Sequence, residues 1–165
     1  MSGPHLSSTA SGVVGWREWV GLPGVGVEWL KAKIDTGART SSVHAFALEE
    51  LERDGADWVR FEVHPWQRSA ADAVRVEVPV HDRRTVRSSS GHTEERVVVL
   101  LDLRLLDRVV TAEVTLTRRD EMGFRMLIGR EALEQGYVVD VSVSYRGGRP
   151  DKAVRRSNRR RPDGA

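Results

Sequence analysis

The feature that most constrains this chain is a single carboxylate, Asp35, at the end of an apolar, strand-like run. Thr36, Gly37 and Ala38 follow it and form a turn of small residues. A carboxylate that acts on water needs a neighbouring hydroxyl to orient it and a glycine that lets another backbone approach closely. Asp and Gly are also common where an ordinary strand ends in a turn. The pattern predicts a catalytic aspartate, with a plain turn as the alternative.

A second segment near the other end of the chain favours the catalytic interpretation. Residues 124–128 form a short apolar run that leads into Gly129-Arg130, and residues 131–136 continue as one or two helical turns ending at a glycine. An apolar run, then Gly-Arg, downstream of Asp-Thr-Gly-Ala resembles a retropepsin, the single-domain aspartic protease of retroviruses. In that fold the Gly-Arg segment crosses behind the catalytic turn.

The sequences of residues 33–45 and 118–130 resemble one bacterial family of retropepsin-like proteins in particular. This is the retropepsin-like family often labelled "ATP-dependent zinc protease". Its members are commonly associated with ATP-grasp ligases that add glutamates to a ribosomal protein. The resemblance covers roughly residues 15–145 and rests on the two motifs in the right order.

The resemblance implies a fold, an assembly and a set of site residues. The fold is all-β, a closed retropepsin-like barrel with one lobe per chain and one short C-terminal helix. The assembly is a homodimer that contributes one catalytic Asp per subunit. Thr36 would tie the two turns together across the dimer axis, and Gly37 would offer backbone to the substrate. The predicted residues are Asp35, Thr36 and Gly37 as catalytic, Ala38 and Arg39 as substrate-binding, and Gly129 and Arg130 as structural.

The region between the motifs predicts strands and one hairpin. Alternating valines in residues 58–64 and 74–80 indicate half-buried strands, and residues 96–105 and 110–116 indicate two more. Residues 43–51 have a spacing that is ambiguous between helix and strand, so irregular structure is predicted there. The small polar tip between two strand-prone arms corresponds in position to the flap that closes over a retropepsin's substrate, with a plain surface hairpin as the alternative. Its predicted substrate-binding residues are Ser88, Ser89, Ser90 and Gly91.

One position departs from the viral pattern. Retroviral enzymes usually carry an acid four residues after the catalytic Asp, where this chain has Arg39. Arg130 should therefore find another partner, and the candidates are Glu131, Asp120 and Glu121. Arginines near the catalytic turn and the flap could favour a polyanionic substrate such as an oligoglutamate tail, with solvated surface as the alternative. These arginines are Arg39, Arg83, Arg84 and Arg87.

Charge and composition divide the chain. Its 165 residues predict one domain, with residues 1–14 as a disordered N-terminal segment, 15–145 as the protease domain and 146–165 as a basic disordered tail. Although the net charge is +2, the tail holds eight basic residues against two acidic ones, so the preceding part is net negative. The tail could contact nucleic acid weakly by counterion release. Residues 1–145 therefore lack the excess of basic charge that is typical of nucleic-acid-binding domains.

Several chemistries find no support in the sequence. The absence of cysteine excludes a disulfide framework, thiol catalysis and any Cys-ligated zinc. No Gly-x-x-x-x-Gly-Lys-Ser/Thr loop occurs, so ATP dependence would come from a partner. No cofactor is predicted; zinc stays open as an alternative, with His44 as the best single ligand. The lack of a long apolar run or a readable signal peptide predicts a cytoplasmic protein without membrane contact.

Together these observations predict a homodimeric aspartic-type peptidase, a hydrolase that cleaves peptide bonds with activated water. The expected substrates include glutamate-rich or oligoglutamylated protein tails, and a possible partner is an ATP-grasp ligase. A zinc-dependent peptidase of the same fold and a non-catalytic retropepsin-like binding module remain as alternatives. A third is a nucleic-acid binder that acts through the tail.

Overall fold

In the computed structural model the chain is mostly β, as predicted, and the structure describes residues 12–66, 71–87, 90–118 and 123–159, the last four of these without their side chains. The strands of this part are β1 (Val13–Val14), β2 (Arg17–Leu22), β3 (Val27–Ile34), β4 (Ser41–His44), β5 (Phe46–Arg53), β6 (Ala56–Val63), β7 (Val74–Pro79), β8 (Asp82–Arg87), β9 (Thr93–Leu105), β10 (Arg108–Thr117), β11 (Met126–Ile128) and β12 (Val138–Val139). A 3-10 turn covers Pro23–Val25, and the helices are α1 (Arg130–Leu133) and α2 (Lys152–Arg159).

The main sheet has a pairing pattern that returns to its starting strand. β10 pairs with β4, β4 with β11, β11 with β3, β3 with β2, and β2 with β9, which pairs again with β10. The contact between β2 and β9 is a single residue pair, Gly21 with Arg104. β8 extends the sheet from β9 as the second arm of a hairpin. The strands are mostly antiparallel, and the parallel pairs within this sheet are β10 with β4 and β11 with β3.

The short strand β11 is inserted where the two sequence motifs meet. It runs parallel to the end of β3, with Ile128 beside Ile34, and antiparallel to β4, with Met126 beside Val43. Its apolar residues are needed there because Met126 and Ile128 are buried. The segment that follows β11 is therefore delivered next to the turn that follows β3.

A second, three-stranded sheet of β5, β6 and β7 packs onto the same core. Val59, Phe61 and Val63 of β6 are fully buried, in step with the predicted alternation. One hydrophobic cluster joins these side chains to Leu30, Val99 and the rest of the main sheet. The described residues contain no helix long and apolar enough to cross a membrane.

The structure differs from the sequence-based expectation in residues 43–51. This stretch contains the end of β4 and most of β5, where the sequence alone indicated irregular structure. Ala47 has a positive φ of 51°, and the pairing of β5 with β6 shifts between Phe46 and Glu49. An irregularity of this kind breaks the two-residue period, so the spacing of apolar residues resembled neither regular element.

Both ends of the chain are more ordered than predicted over the residues described. β1 lies within the predicted disordered segment 1–14, yet it pairs in parallel with β12 and Val14 is fully buried. Within the predicted disordered tail, Pro150 is buried and α2 is helical. A second short helix therefore joins the one that was predicted. Residues 1–11 and 160–165 lie outside the described part of the chain.

Candidate active site

Asp35 occupies the junction of β3 with the inserted strand. Its backbone N–H donates to the carbonyl of Ile128 at 2.9 Å, which continues the ladder between β3 and β11 by one residue. One residue earlier, the N–H of Ile34 donates to the carbonyl of Trp16 at 2.9 Å. The aspartate is half-buried, whereas Thr36 and Gly37 are exposed. Bonds from two neighbouring segments thus fix the backbone that presents the carboxylate.

The carboxylate of Asp35 keeps most of its acceptor capacity. Its Oδ1 atom accepts the N–H of Gly37 at 2.9 Å, and its backbone carbonyl accepts the N–H of Ala38 at 3.3 Å. Within the described residues, Oδ2 accepts no hydrogen bond. An ionised carboxylate offers about four lone-pair sites, so this group can still accept hydrogen bonds from water or from a second carboxylic acid.

The Gly129-Arg130 segment holds the turn from behind. The N–H of Arg130 donates to the carbonyl of Ala38 at 2.8 Å, and the N–H of Glu131 donates to the carbonyl of Arg39 at 2.9 Å. The Arg130 guanidinium donates to the carbonyl of Thr36 at 3.0 Å. The turn is therefore bound by one segment at three of its carbonyl groups.

Of the three acids named from the sequence as partners of Arg130, the described residues include Glu131, and Arg130 does not pair with it there. Its hydrogen bond goes to the backbone carbonyl of Thr36, and Glu131 instead accepts the N–H of Glu113 at 2.9 Å. Asp120 and Glu121 lie outside the described residues. A carbonyl suffices because it is a strong acceptor that needs no acidic side chain in the sequence.

Gly129 is required by the closeness of this contact. A Cβ atom at this position would lie 2.8 Å from the carbonyl carbon and oxygen of Thr40 and 2.9 Å from the carbonyl oxygen of Ala38. The Gly129 N–H also donates to the hydroxyl of Ser41 at 3.0 Å. Any other residue would push the two segments apart.

A hairpin of β8 and β9 lies where the sequence predicted the flap. Its arms pair from Asp82 with Val98 to Arg87 with Thr93. Ser90 and Gly91, at the tip, are exposed, while Ser88 and Ser89 lie outside the described residues. The base of the hairpin contacts the turn, because Arg84 Nη1 donates to the hydroxyl of Thr40 at 3.2 Å.

Two of the arginines near this site have carboxylate partners. Arg84 donates to both carboxylate oxygens of Glu113, at 2.9 and 3.1 Å, and Arg83 pairs with Glu50. The Arg84 guanidinium holds the pKa of the Glu113 carboxyl below its usual range, although partial burial opposes this. Hydrogen bonds to Glu113 and Asp82 in turn raise the pKa of Arg84.

The other two arginines are differently placed. Arg39 and Arg87 are exposed, and neither forms an ion pair within the described residues. Their charges are not balanced within the described residues, whereas those of Arg83 and Arg84 are.

The described side chains do not fit the zinc ion that the family label implies. His44, the best single ligand in the sequence, stacks on Phe46 with ring centroids 4.0 Å apart, and Phe46 stacks on His64 at 3.6 Å. His64 also contacts Glu62 at 3.0 Å. In the described ranges no three His, Asp or Glu side chains are grouped as a metal site requires.

One buried carboxylate near this site was missed from the sequence. Glu18 is fully buried and accepts N–H groups from Gly15, Arg146 and Gly147 at 2.7–3.1 Å. The available signal was the alternation of β2, because Glu18 is in phase with the buried residues Val20 and Leu22 rather than with Arg17. It joins the two terminal segments behind the hairpin of β2 and β3.

Comparisons with known proteins agree with this geometry. The model of a family described as the retropepsin-like aspartic endopeptidase RimB matches residues 13–150. Among solved structures, a Legionella pneumophila protein of unknown function is 29% identical with a TM-score of 0.67, covering 82% of this chain and 97% of that one.

Curated relatives are named probable alpha-L-glutamate ligases. The one from Parasynechococcus marenigrum is 46% identical over 136 residues, and the one from Shewanella pealeana is 44% identical over 133 residues. The matches cover 82% and 81% of this chain but only 29% of each relative. The family model matches most of the chain, including both motifs that carried the resemblance. This chain therefore belongs to the RimB-like family of retropepsin-like aspartic endopeptidases.

Proposed function

We propose that the protein is an aspartic-type peptidase that works as a homodimer with one Asp35 from each subunit. The observation that carries this proposal is the half-buried Asp35 carboxylate, which retains open acceptor sites on a turn clamped from behind by Arg130 and Glu131. A rigid backbone and an unsatisfied carboxylate are what a general acid or base requires. The family match supports the same reaction class.

The proposed chemistry needs two copies of the turn. Two carboxylates about 3 Å apart cannot both ionise, so a pair shares one proton. The ionised Asp35 takes a proton from a bound water, and the protonated Asp35 of the second subunit donates a hydrogen bond to the scissile carbonyl. The oxygen of that water then forms a bond to the carbonyl carbon. The tetrahedral species collapses as the Asp35 that took the proton of the water passes it to the amide nitrogen. The C–N bond breaks, the amine leaves, and no covalent link to the enzyme forms.

Residues around Asp35 have roles in this mechanism. Thr36 is exposed beside the carboxylate, where its hydroxyl could bond to the second turn across the dimer axis. Gly37 is exposed and carries no side chain, so a substrate backbone can approach it. The hairpin of β8 and β9 would cover the substrate, and the ring of strand pairings supports closure of the main sheet into a retropepsin-like barrel.

The proposed substrate is a glutamate-rich or oligoglutamylated protein tail. Arg39 follows the catalytic turn, Arg87 lies near the hairpin tip, and both are exposed without an ion pair in the described part of the chain. Arginine side chains bind carboxylates with two parallel hydrogen bonds. The relatives named glutamate ligases contain a segment similar to this chain, which supports association with such a ligase and a substrate that carries its product.

The ligase name does not by itself assign ligase activity to this chain. The chain covers 29% of those relatives, so their named activity belongs to proteins of much greater length. The part of this chain that matches them includes the Asp35 turn and its Gly129-Arg130 support, the elements to which this proposal assigns hydrolysis.

Mass spectrometry of a peptide library that includes oligoglutamate tails tests the proposal. The wild type should cleave peptides with or without a chelator, and Asp35→Asn should not. Asp54→Asn is a matched control, because Asp54 is exposed in the β5–β6 turn and Asn tolerates its positive φ. Loss of cleavage with the chelator would point to a metal-dependent reaction. Cleavage by Asp35→Asn equal to that of the control would overturn the proposal.

A further inference from the structure

The outer face of the β2–β3 hairpin carries cations that stack on aromatic rings. Arg17 lies opposite Lys33 and Trp19 lies opposite Lys31, so these four side chains project from the same side of the hairpin. Rings from residues 124 and 145 and a further arginine adjoin them. We name this surface the cation–aromatic face; its residues are Trp16, Arg17, Trp19, Lys31, Phe124, Tyr145 and Arg149.

Arg17 is held at the centre of this face by rings rather than by hydrogen bonds. Its guanidinium carbon lies 4.5 Å from the ring centroid of Trp16 and 4.7 Å from that of Tyr145. Its Nε atom is buried and has no hydrogen-bond partner within the described residues, whereas neither Nη atom is among the buried unsatisfied atoms. A buried donor without a partner needs an explanation. Ring stacking leaves the outer edge of the guanidinium free to donate two parallel hydrogen bonds.

Within the described residues, Lys31 and Arg149 also lack carboxylate partners. Lys31 lies 5.3 Å from the ring centroid of Phe124, and Arg149 lies 5.6 Å from that of Tyr145. Neither they nor Arg17 form an ion pair in the part of the chain that is described.

Arg53 is a ring-stacked arginine that has an internal carboxylate partner. Its guanidinium lies 4.8 Å from the ring centroid of Trp58, and its charge is balanced by an ion pair with Glu77. Stacking on a ring is therefore compatible with an internal carboxylate partner. On the cation–aromatic face the partner is missing among the described residues, and an external anion would supply it.

The face borders the proposed catalytic turn. The carbonyl of Trp16 accepts the N–H of Ile34 at 2.9 Å, and Asp35 is the next residue. Trp16 is 37% exposed, so this edge of the face is open to solvent. A chain bound at Arg17 could therefore continue toward Asp35.

We propose that the cation–aromatic face binds an acidic peptide segment of a protein substrate, with Arg17 as the principal carboxylate-binding residue. The inference deepens the proposed function, because it adds a docking surface for acidic chains outside the catalytic turn. A peptide is favoured over a nucleic acid, since the rings already have cations of this chain stacked on them. Base stacking on aromatic side chains is the main source of affinity for single strands.

Binding to the catalytically disabled protein tests this inference. A fluorescein-labelled peptide rich in Glu and Asp is titrated with Asp35→Asn protein, so that the peptide stays intact. Adding Arg17→Met should weaken binding about tenfold, the loss of one charge-assisted hydrogen-bonded contact. Lys31→Met should weaken it by a smaller factor, and Arg53→Met is the matched control, because it removes an arginine that is stacked but internally paired. Thermal unfolding of each variant confirms that it is folded.

Three outcomes would overturn the inference. One is equal peptide affinity of Arg17→Met and Arg53→Met. The second is tighter binding of a single-stranded oligonucleotide than of the peptide, with Arg17→Met affecting the oligonucleotide. The third is loss of the dimer in Arg17→Met without a change in peptide affinity, which would mean that a second copy covers the face. Since binding is measured with Asp35→Asn, failure of the peptidase proposal leaves the result readable.

Discussion

Glu18 and Asp35 are carboxylates of the same β-hairpin region, yet the chain surrounds them in opposite ways. Glu18 is fully buried and accepts three backbone N–H groups, from Gly15 at 2.7 Å, Arg146 at 3.1 Å and Gly147 at 3.0 Å. These bonds use most of the acceptor sites of a carboxylate. Little acceptor capacity is left for a substrate, and the group is fully buried.

Around Asp35 the chain fixes the backbone and leaves the side chain open. Its carboxylate accepts one N–H, from Gly37, while its main chain is bound to Ile128 and the following residues to Arg130. The difference teaches that the same functional group is structural where its acceptor sites are satisfied and chemically available where they are not. Substitutions at the two positions should therefore affect different measurements.

Asp35→Asn should produce the largest effect, and it should be on activity. Removing a general acid or base costs roughly 10²–10⁴-fold in rate, whereas a half-exposed side chain with one local hydrogen bond contributes little to folding, about 0.5 kcal/mol or less. Peptide cleavage rates and urea unfolding of the same preparation measure both. A large loss of stability in Asp35→Asn would break the comparison, because it would make Asp35 structural as well.

Glu18→Gln should give the reverse pattern, a large loss of stability with activity retained in the folded fraction. An amide accepts through one oxygen only, so one of the three N–H groups would face the amide nitrogen and remain unsatisfied. Losing a hydrogen bond to a buried charged group costs about 2–3 kcal/mol. Urea unfolding measures it, and Glu28→Gln is the control, since Glu28 is an exposed residue of the same hairpin. Equal stability of the two variants would contradict the assigned role of Glu18.

Gly129→Ala tests whether the Asp35 turn is held in place by the close backbone contact, and it should lower both activity and stability. The added methyl group would lie 2.8 Å from the carbonyl of Thr40, and relief of such overpacking typically costs about 1–3 kcal/mol. The clamp on the turn should loosen, so activity should fall along with stability. Gly24→Ala is the matched control, because its Cβ would approach only the Asp102 side chain at an ordinary 3.5 Å. A Gly129→Ala variant with normal activity would show that the clamp is not needed.

The sequence predicted the Asp35 turn and the Gly129-Arg130 segment because each is short, local and has few structural alternatives. It could not predict that Arg130 bonds to the carbonyl of Thr36, since every residue has a carbonyl and none is marked by sequence. Counting charges in the sequence likewise could not show which arginines have a partner within the chain. It grouped Arg84 with Arg39, although Arg84 is paired with Glu113 on a strand 29 residues away.

The remaining differences arise from long-range partners and from broken periodicity. β1 has only two residues and becomes a strand because β12, more than 100 residues later, lies beside it. In β5 the positive φ of Ala47 interrupts the two-residue pattern that identifies strands. Glu18 was the exception that could have been found, because the alternation of β2 places it on the buried side.

Glu113 is intermediate between the two extremes and should give the smallest effect, visible as a dependence of stability on pH. Arg84 holds the pKa of Glu113 below its usual range, so the ion pair stabilises the fold above the carboxyl pKa of the unfolded chain, about 4.3. This contribution is lost as the pH falls through the lower, folded-state value. The pair is partly exposed, at 21% and 27% of the two side chains, so the contribution should be about 1 kcal/mol or less.

The measurement compares urea unfolding of the parent protein and Glu113→Gln from about pH 6 to about pH 3, the interval that spans the carboxyl titration. Both carry His81→Gln, because the imidazole of His81 lies 3.5 Å from the Glu113 carboxylate and would be a second partner of it. The stability advantage of the parent should shrink with acidification, because protonation removes the charge that Arg84 binds. If the stability difference between the two proteins stays constant over this interval, the pair holds Thr40 and β10 by packing rather than by charge. Glu113 would then be a structural residue like Glu18, although it is not buried.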